Sequence, residues 1–420
     1  MRGGDVLKNE LKERFEYKVG LFFMFLYILT SYIAVDIIVP TSVNTIFLYL
    51  FLMWGAITTL LYGIKKKIPT HTIYYAVFMV VSLLAMGHSP EFNILSGQFY
   101  LMIVTFLLTF LFQMFIKEEK DFVLMCWIYA IASLSLVIML QATGNLVGGS
   151  DEERLGQELM GNANIFATLI MVAVLYELWL IIYGTKKWYG KIILIIMVIY
   201  NMYALALSAG RKYVVIPFVF LYMLLVCKRN KKGKRNIVIY TLILVLLIIG
   251  AYNLMMKNPV LYESIGVRME QLIEGQEDES KLDDSARIRE IMRHDAIEQW
   301  WEKPLWGYGF DSYKYRANIV VKHFYYSHCN YTEMLYNGGI IMFLVYYWIY
   351  YKIISDFFKK KKSPEKYRTF AIATAISFLL LDYGAITYTA AIVHIMLALS
   401  SKFLDVKIND EENLTTDKVT

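Results

Sequence analysis

Residues 228–256, KRNKKGKRNIVIYTLILVLLIIGAYNLMM, join a cluster of Lys and Arg to a hydrophobic run at 236–256. About 20 apolar residues are enough for an α-helix to cross the hydrocarbon core of a bilayer. Cations beside such a run gather on the cytoplasmic side. The stretch therefore predicts a membrane-spanning helix that leaves the cytoplasm after residue 235.

Similar hydrophobic runs recur through the chain. Hydrophobic residues make up 58% of its 420 residues, which is above the roughly 45–50% of soluble domains. The runs lack the period-2 alternation of a membrane β-barrel, and a helix satisfies its own backbone hydrogen bonds in lipid. We therefore expect an all-α integral membrane protein with about twelve transmembrane helices. The predicted spans lie near residues 19–39, 43–63, 72–88, 96–116, 121–143, 162–183, 191–208, 212–227, 236–256, 331–354, 367–383 and 387–403.

Lys and Arg predict the topology, because their clusters occupy every second connection between the spans. These clusters lie at 2–18, 65–67, 117–120, 186–191, 228–235 and 359–362. Both termini are then cytoplasmic, and the acidic turn 148–160 faces outward. We expect a multi-pass protein of the cytoplasmic membrane, with a single membrane domain at 1–420. Within it, 257–330 form a large extracytoplasmic loop with short helices, and 404–420 form a cytoplasmic tail.

Two classes of function are excluded by charge and spacing. The net charge of +6 does not indicate nucleic acid, because the basic residues fall in short clusters between apolar runs. The three cysteines have no CxxC spacing, so no redox or metal centre is expected. His323, His328 and Asp311 also match no metal motif.

The best candidate for chemistry is Ser285 to Asn337, the longest segment kept out of the lipid that still carries Arg, His, Trp and Gly at close spacing. In residues 283–304, DDSARIREIMRHDAIEQWWEKP, Asp284 or Ser285 can cap a helix that Pro304 stops. The segment therefore predicts a helix within the outer loop.

Helical spacing puts Arg289 and Arg293 on one face with Trp300, whereas Arg287 points nearly the opposite way. One interpretation is an amphipathic helix that lies at the membrane interface. The other is a cationic face that binds an anion. The spacing alone favours the first.

Two cations, Arg211 and Lys212, lie at the outer end of the seventh predicted span. Short outer turns elsewhere avoid such cations. An anchoring arginine whose head reaches the interface is one interpretation. An anion site is the other, because the arginine fork suits phosphate oxygens.

Residues 304–313 and 325–339 complete the loop. Glycines in PLWGYGFDSY permit a tight turn. His328 can take a proton near neutral pH, or it can make a structural hydrogen bond at a helix entrance. Glu333 follows five residues later, and on a helix it would not share that face.

Polar residues also occur at and within the spans. The amides of GNANIFA, residues 161–167, open the sixth span and suggest hydrogen bonds at its outer end. Asp36, Glu177, Asp382 and His394 are ionisable residues of the spans, and any of them could mark a transport path.

These segments, in this order, resemble the bacterial O-antigen polymerase and O-antigen ligase family, glycosyltransferases that act on lipid-linked sugars. The resemblance covers about residues 161–343. The Gly-Asn-x-Asn motif of the family matches Gly161, Asn162 and Asn164. The arginine of its Ser-Arg pair matches Arg211, with Gly210 in place of the serine.

The outer loop of the family carries an arginine fifteen residues before a Pro-x-x-Gly-x-Gly turn. Arg289 stands fifteen residues before Pro304, and Gly307 and Gly309 complete the turn. Arg287 is the second choice for this arginine.

The closing motif of the family is His-Asn followed by an acid or amide and a Gly-rich span entrance. His328, Glu333 and the glycines 338–339 match it. Cys329 stands where the family usually has Asn, and Asn330 follows it.

The resemblance implies a donor oligosaccharide on undecaprenyl diphosphate and an acceptor glycan at the outer face of the membrane. It implies that Arg211, Arg289 and His328 are catalytic, and that neither a metal nor another cofactor takes part. We predict that a wider set contacts substrate: Arg287, Arg293, Lys212, Asn162, Asn164, Asn330 and Glu333. The expected partners are the two glycans, the lipid bilayer and a chain-length regulator protein.

Three functions remain open at this point. The leading one is a polymerase that extends surface-polysaccharide repeat units. A ligase would use the same chemistry to transfer the glycan to lipid A core or to a protein. A flippase or transporter for the lipid-linked glycan would have pseudo-symmetric halves and charges at mid-membrane, whereas the cations here crowd one outer loop.

Sidedness of labelling tests the topology. In a chain without its native cysteines, Lys281→Cys is expected to react with an impermeant thiol reagent from outside the cell, and Gly233→Cys only after permeabilisation. Labelling of both positions from outside would contradict the predicted arrangement.

Overall fold

The computed structural model describes residues 2–35, 39–62, 68–91, 94, 97–148, 154–228, 234–275, 283–360 and 363–405. Several residues of the sequence predictions lie outside this described part: Asp36, the basic run at 65–67, most of the basic run at 228–235, and residues 406–420 of the tail.

Every regular element in the described residues is helical. The helices are α1 (Arg2–Ile33), α2 (Thr41–Tyr62), α3 (Thr70–Met86), α4 (Gly97–Phe115), α5 (Glu119–Ala142), α6 (Gln157–Met160), α7 (Ala163–Trp179), α8 (Trp188–Leu207), α9 (Arg211–Val226), α10 (Lys234–Lys257), α11 (Pro259–Leu261), α12 (Val267–Glu274), α13 (Asp284–Glu302), α14 (Tyr313–Val321), α15 (Asn330–Lys359), α16 (Glu365–Asp382) and α17 (Ala391–Phe403). Two π-helical turns cover Leu180–Gly184 and Tyr262–Gly266.

The prediction of an all-helical membrane protein is confirmed. Each of the twelve predicted hydrophobic segments contains a helix. Among the described residues, eight helices are long and apolar enough to cross a membrane, and α3 and α17 are shorter apolar helices. The number of twelve spans and the outer location of 257–330 stay predictions.

The chain divides into two compact units. The first comprises Met1–Ile68, Phe110–Val214 and Leu254–Val267, and the second comprises Pro69–Thr109, Val215–Asn253 and Arg268–Thr420. Arg211 lies in the first unit, whereas α13 and His328 lie in the second.

In the first unit α5 is central, and it packs against α1, α7 and α8. Its buried side chains include Tyr129, which packs between the rings of Tyr32 and Tyr176. A polar chain is also buried there, because Asn201 donates to Glu177 Oε1 at 2.7 Å and accepts from the hydroxyl of Ser133 at 3.0 Å. Buried polar groups need such partners.

In the second unit α15 is central, and it packs against α3, α13, α14 and α16. This helix is broken at Gly339, where φ is 64° and ψ is −164°, a conformation that only glycine adopts readily. Asn330 Nδ2 donates to the hydroxyl of Tyr347 at 3.1 Å, although a straight helix would separate these residues by roughly 25 Å. The segment before the break therefore folds back along the helix after it, so the predicted span at 331–354 is not one continuous straight helix.

The glycine turn at 304–309 docks on this break. Tyr308 N donates to Tyr336 O at 2.8 Å, and Ile340 N donates to Pro304 O at 2.8 Å. The two backbones approach so closely that a Cβ at Gly307 would lie 2.3 Å from the Tyr336 carbonyl oxygen. A Cβ at Gly339 would lie 2.3 Å from the backbone of Leu305. The two glycine motifs of the sequence are thus two halves of one contact.

Candidate functional site

His328 lies on a sharp turn just before α15. Its φ is +56°, a left-handed value that is uncommon outside glycine. Its neighbours Ser327 and Cys329 are buried, at 0% and 2% exposure, whereas His328 is half-buried. The half-buried imidazole, whose centre lies 6.0 Å from that of the Tyr325 ring, therefore sits on a backbone conformation that the surrounding structure must hold.

Hydrogen bonds around Cys329 fix this turn. Its carbonyl accepts from the hydroxyl of Ser327 at 2.9 Å, from Glu333 N at 3.0 Å and from the hydroxyl of Thr332 at 3.2 Å. Strained residues of this kind persist only where their surroundings over-determine them, and they cluster at functional sites.

The Glu333 carboxylate connects the turn to α14. It is fully buried, accepting from Ser327 N at 2.8 Å and from Asn337 Nδ2 at 3.0 Å. Asn337 Oδ1 in turn accepts from Ser312 N at 3.2 Å and from Tyr313 N at 3.1 Å, where α14 begins. Both oxygens of Glu333 thus have partners inside the protein, and its predicted contact with substrate stays a prediction.

Asn330 forms a second buried node. Its Oδ1 accepts from Thr387 N at 3.1 Å, and its Nδ2 donates to the hydroxyl of Tyr347. The hydroxyl of Tyr347 also donates to Asp382 at 3.1 Å, and Thr387 donates to the same carboxylate. Asn330 therefore binds the folded-back segment of α15 to the connection between α16 and α17.

The predicted helix at 283–304 is present as α13, but its cap differs from the expected one. Asp283, and neither Asp284 nor Ser285, accepts from Ala286 N at 2.8 Å. The sequence therefore predicted the cap one or two residues too late, because Asp and Ser side chains can each cap a helix. The helix ends at Glu302, just before Pro304, as expected.

The arginines of α13 differ in their surroundings. Arg287 is 56% exposed and pairs with Asp284, whereas Arg293 is 21% exposed. The guanidinium of Arg293 lies 4.6 Å from the centre of the Tyr383 ring and also pairs with Glu290. Arg289 is half-buried. This confirms that Arg287 and Arg293 lie on different faces of α13.

An ion pair joins α13 to α14. Arg316 donates from Nε and from the terminal guanidinium nitrogen to Asp295, at 3.0 and 2.6 Å. These hydrogen bonds raise the pKa of the Arg316 guanidinium, and the two-pronged geometry adds specificity. The hydroxyl of Tyr313 also donates to Met292 O at 2.6 Å. One continuous network therefore runs from the His328 turn through Glu333 and α14 to the helix that carries Arg289.

Cations gather at the start of α9 in the first unit. Arg211 and Lys212 open the helix, and Lys212 lies 4.9 Å from the centre of the Tyr213 ring. Arg154 joins them, because its Nε donates to the carbonyl of Ser208 at 3.0 Å. Sequence reasoning missed Arg154, which lies in the turn interpreted as acidic. Its position next to a run of acids gave no signal that it would reach α9.

Asn162 and Asn164 lie in the first unit as well. Asn162 caps α7, since its Oδ1 accepts from Asn164 N at 2.8 Å. Gly161 before it has a φ of +66°. This confirms hydrogen bonds at the N-terminal end of the sixth predicted span, while its outer location and contact of either amide with substrate stay predictions.

The arrangement in the second unit can do two things chemically. A histidine held in one orientation can accept a proton from a hydroxyl or orient it. Arginines on a helix fixed by an ion pair can stabilise negative charge on oxygen.

Sequence reasoning also missed Asn337 and Arg316, because an Asn before two glycines and an Arg in a short helix carry no periodic signal.

Comparison with known proteins agrees with these motifs. Residues 192–347 match a family model described as O-Antigen ligase. The match begins in α8 and ends in α15, so it includes Arg211, α13 and His328 but not Asn162 or Asn164. No curated protein matches the chain.

Substitution of the buried carboxylate tests the network. Glu333→Gln replaces one acceptor oxygen by an NH₂ group that must face either Ser327 N–H or the Asn337 amide, both donors. An unsatisfied buried donor costs about 1–3 kcal/mol, so we expect a lower midpoint of thermal unfolding in detergent. Glu298→Gln, at an exposed acid of α13, is the control and should leave the midpoint unchanged. Equal midpoints for both variants would contradict the structural role of Glu333.

Proposed function

We propose, from the match of residues 192–347 to a family model described as O-Antigen ligase, that this chain is a membrane glycosyltransferase that extends lipid-linked repeat units of a surface polysaccharide. The observation that carries the proposal is the hydrogen-bond network that joins the His328 turn to the arginine-bearing helix α13. A proton acceptor and an arginine-bearing helix fixed on one network suit transfer from a diphosphate.

In the proposed reaction an acceptor hydroxyl attacks the anomeric carbon of the donor glycan. The new glycosidic C–O bond forms while the bond to undecaprenyl diphosphate breaks, and the hydroxyl proton passes to a base. The diphosphate leaves with the electron pair of the broken bond. Its growing negative charge calls for cations rather than for an acid.

Arg289 is the proposed ligand of the departing diphosphate. It shares α13 with Arg293, and the Arg316–Asp295 pair holds this helix against α14. A fixed helix places a guanidinium before charge develops, which is what makes such stabilisation effective. A guanidinium fork can contact two phosphate oxygens at once.

His328 is the proposed partner of the acceptor hydroxyl. It has a left-handed backbone conformation and lies between two buried residues, Ser327 and Cys329. The tied carbonyl of Cys329 limits movement of the turn, so the imidazole can receive the hydroxyl proton in a defined place.

Arg211, Lys212 and Arg154 form a separate cationic group at the start of α9 in the first unit. Their role as ligands of the donor anion is proposed on the resemblance and on their charge. The N-terminus of α9 adds a partial positive charge to theirs.

Arginine chemistry can be tested in proteoliposomes that contain the lipid-linked repeat. Arg289→Ala is expected to reduce chain extension by the roughly 10²–10³-fold that follows loss of one charge-stabilising donor. Arg289→Lys should fail almost as badly, because a point charge does not replace a two-pronged donor. Arg287→Ala is the matched control and should be much milder, since Arg287 faces solvent and Asp284.

The length of the product measures this effect and also identifies the acceptor. Ladders of many repeats support a polymerase, whereas a single transfer to lipid A core or to a protein supports a ligase. Full extension by Arg289→Lys would contradict the diphosphate role, and a stronger defect in Arg287→Ala would show that the wrong arginine was chosen.

The role of His328 can be separated from its structural effect. Glutamine can keep a hydrogen bond but cannot take a proton near neutral pH. We expect His328→Gln to bind the lipid-linked donor normally and to lower transfer by about 10²–10⁴-fold, the range of general acid–base groups. Rates near those of the wild type in proteoliposomes would refute proton transfer and leave His328 with an orienting role.

A further inference from the structure

A short segment between α14 and α15, residues 322–328, carries exposed aromatic rings immediately before the proposed proton acceptor. Its sequence is KHFYYSH. Tyr325 is 41% exposed and Phe324 is 62% exposed. The reaction proposed above uses His328 at the end of this segment, but it gives no role to the rings that precede it. Loops that a rigid scaffold positions carry a large share of binding residues, so these rings are candidates for contact with substrate.

The segment is held at both ends and in its middle. The backbone is left-handed at Lys322, where α14 ends, and at His328, with φ values of +62° and +56°. Between them Gln98 Nε2 donates to the hydroxyl of Tyr326 at 2.7 Å. The carbonyl oxygen of the Gln98 side chain accepts from the hydroxyl of Thr389 at 3.0 Å. Left-handed residues other than glycine persist only where their surroundings hold them. The backbone that carries the rings is therefore fixed before any ligand binds.

The ring of Tyr325 contacts the rings of two histidines. It stacks on His323, with ring centres 5.3 Å apart and planes 29° apart, and its centre lies 6.0 Å from that of His328. The N–H of Tyr325 also donates to the carbonyl of His323 at 3.0 Å, which keeps the stacked pair together. A stacked neighbour covers one face of a ring, and Tyr325 nevertheless stays exposed. An accessible tyrosine thus lies beside the imidazole that receives the acceptor proton in the proposed reaction.

The chemistry of a sugar suits such a ring. The C–H groups of a pyranose give one of its faces an apolar character, and this face can pack on an aromatic ring, whose π face carries partial negative charge. Tyrosine supplies the contact at low entropic cost, because few of its torsions must be fixed. Its hydroxyl can form a hydrogen bond at the same time. A ring beside a proton acceptor can therefore hold a sugar with one hydroxyl near the imidazole.

We infer that Tyr325, supported by His323, is the stacking surface for the acceptor sugar. The ring receives the apolar face of the sugar, so that one sugar hydroxyl comes within reach of His328. The inference rests on the proposed function, because that function supplies the acceptor. Tyr325 is a positioning residue: it contributes to acceptor binding and takes no proton.

A membrane surface is the other partner that an exposed tyrosine can meet. The observations favour the sugar, because the ring is fixed beside His328 on a tightly held segment. The two partners also differ in what they require. Contact with lipid depends on buried apolar area, whereas stacking on a sugar needs a flat ring.

The test uses the purified full-length protein in proteoliposomes that contain the lipid-linked repeat as donor. The probe is the free repeat oligosaccharide, released from its lipid carrier and supplied as a soluble acceptor. Tyr325→Leu keeps apolar area but removes the flat ring, so it should raise KM for the oligosaccharide by about tenfold. Its kcat and its KM for the lipid-linked donor should stay near wild-type values. Tyr325→Phe keeps the ring and should behave like the wild type.

Phe324→Leu is the matched control, because Phe324 is an exposed ring of the same segment, and it should leave KM unchanged. All three variants should keep the wild-type midpoint of thermal unfolding in detergent. A wild-type KM in Tyr325→Leu would overturn the stacking surface and favour contact with lipid, since leucine keeps the apolar area. Equal defects in both leucine variants, or a defect that appears in kcat together with a lower midpoint, would also overturn it.

Calorimetric titration of the same oligosaccharide separates this inference from the proposed function, because it reports binding without transfer. The wild type should bind about tenfold more tightly than Tyr325→Leu. Equal affinities with normal transfer by the wild type would refute the stacking surface alone. A wild type that binds more tightly than Tyr325→Leu yet transfers nothing would support the stacking surface and refute the proposed function. Neither binding nor transfer by the wild type would refute both.

Discussion

The buried carboxylate of Glu333 is the interaction on which the second unit depends. A buried polar group is tolerated only where its hydrogen bonds are satisfied. Here Ser327 N–H and the Asn337 amide satisfy it, and the same Asn337 caps α14. Glu333 thus fixes the backbone position of Ser327, just before His328, and through Asn337 it fixes the start of α14, which contacts α13. The geometry of the candidate site therefore depends on the hydrogen bonds of Glu333.

A second constraint makes this arrangement possible. The break at Gly339 releases backbone donors and carbonyls that a continuous helix would use internally, and the turn at 304–309 takes them up. Buried backbone donors and acceptors that leave a helix must find other partners. Two glycine motifs far apart in sequence therefore supply each other's hydrogen bonds, and the segment before the break can fold back toward Tyr347.

Particular residues show where sequence reasoning succeeded. The hydrophobic runs predicted the helices, because a bilayer demands both length and apolar character. Helical spacing predicted that Arg287 and Arg293 lie on different faces of α13, because each residue advances a helix by a fixed angle. The cap of α13 was misplaced, since three successive residues can all accept from the first free N–H groups. Arg154 and Arg316 were missed because their partners, Ser208 and Asp295, are remote in the chain.

By itself, the sequence determined that this is an all-helical membrane protein with a long polar segment that carries several arginines, and residues 192–347 match a family model described as O-Antigen ligase. Hydrophobic length, periodicity and motif order are local properties, so they can be read along the chain. Only the tertiary structure decided that Glu333 and Asn330 are buried nodes, that His328 sits on a left-handed turn, and that Gln98 holds the segment that carries Tyr325. These facts depend on which distant groups satisfy each buried donor and acceptor, and no local pattern in the chain specifies those partners.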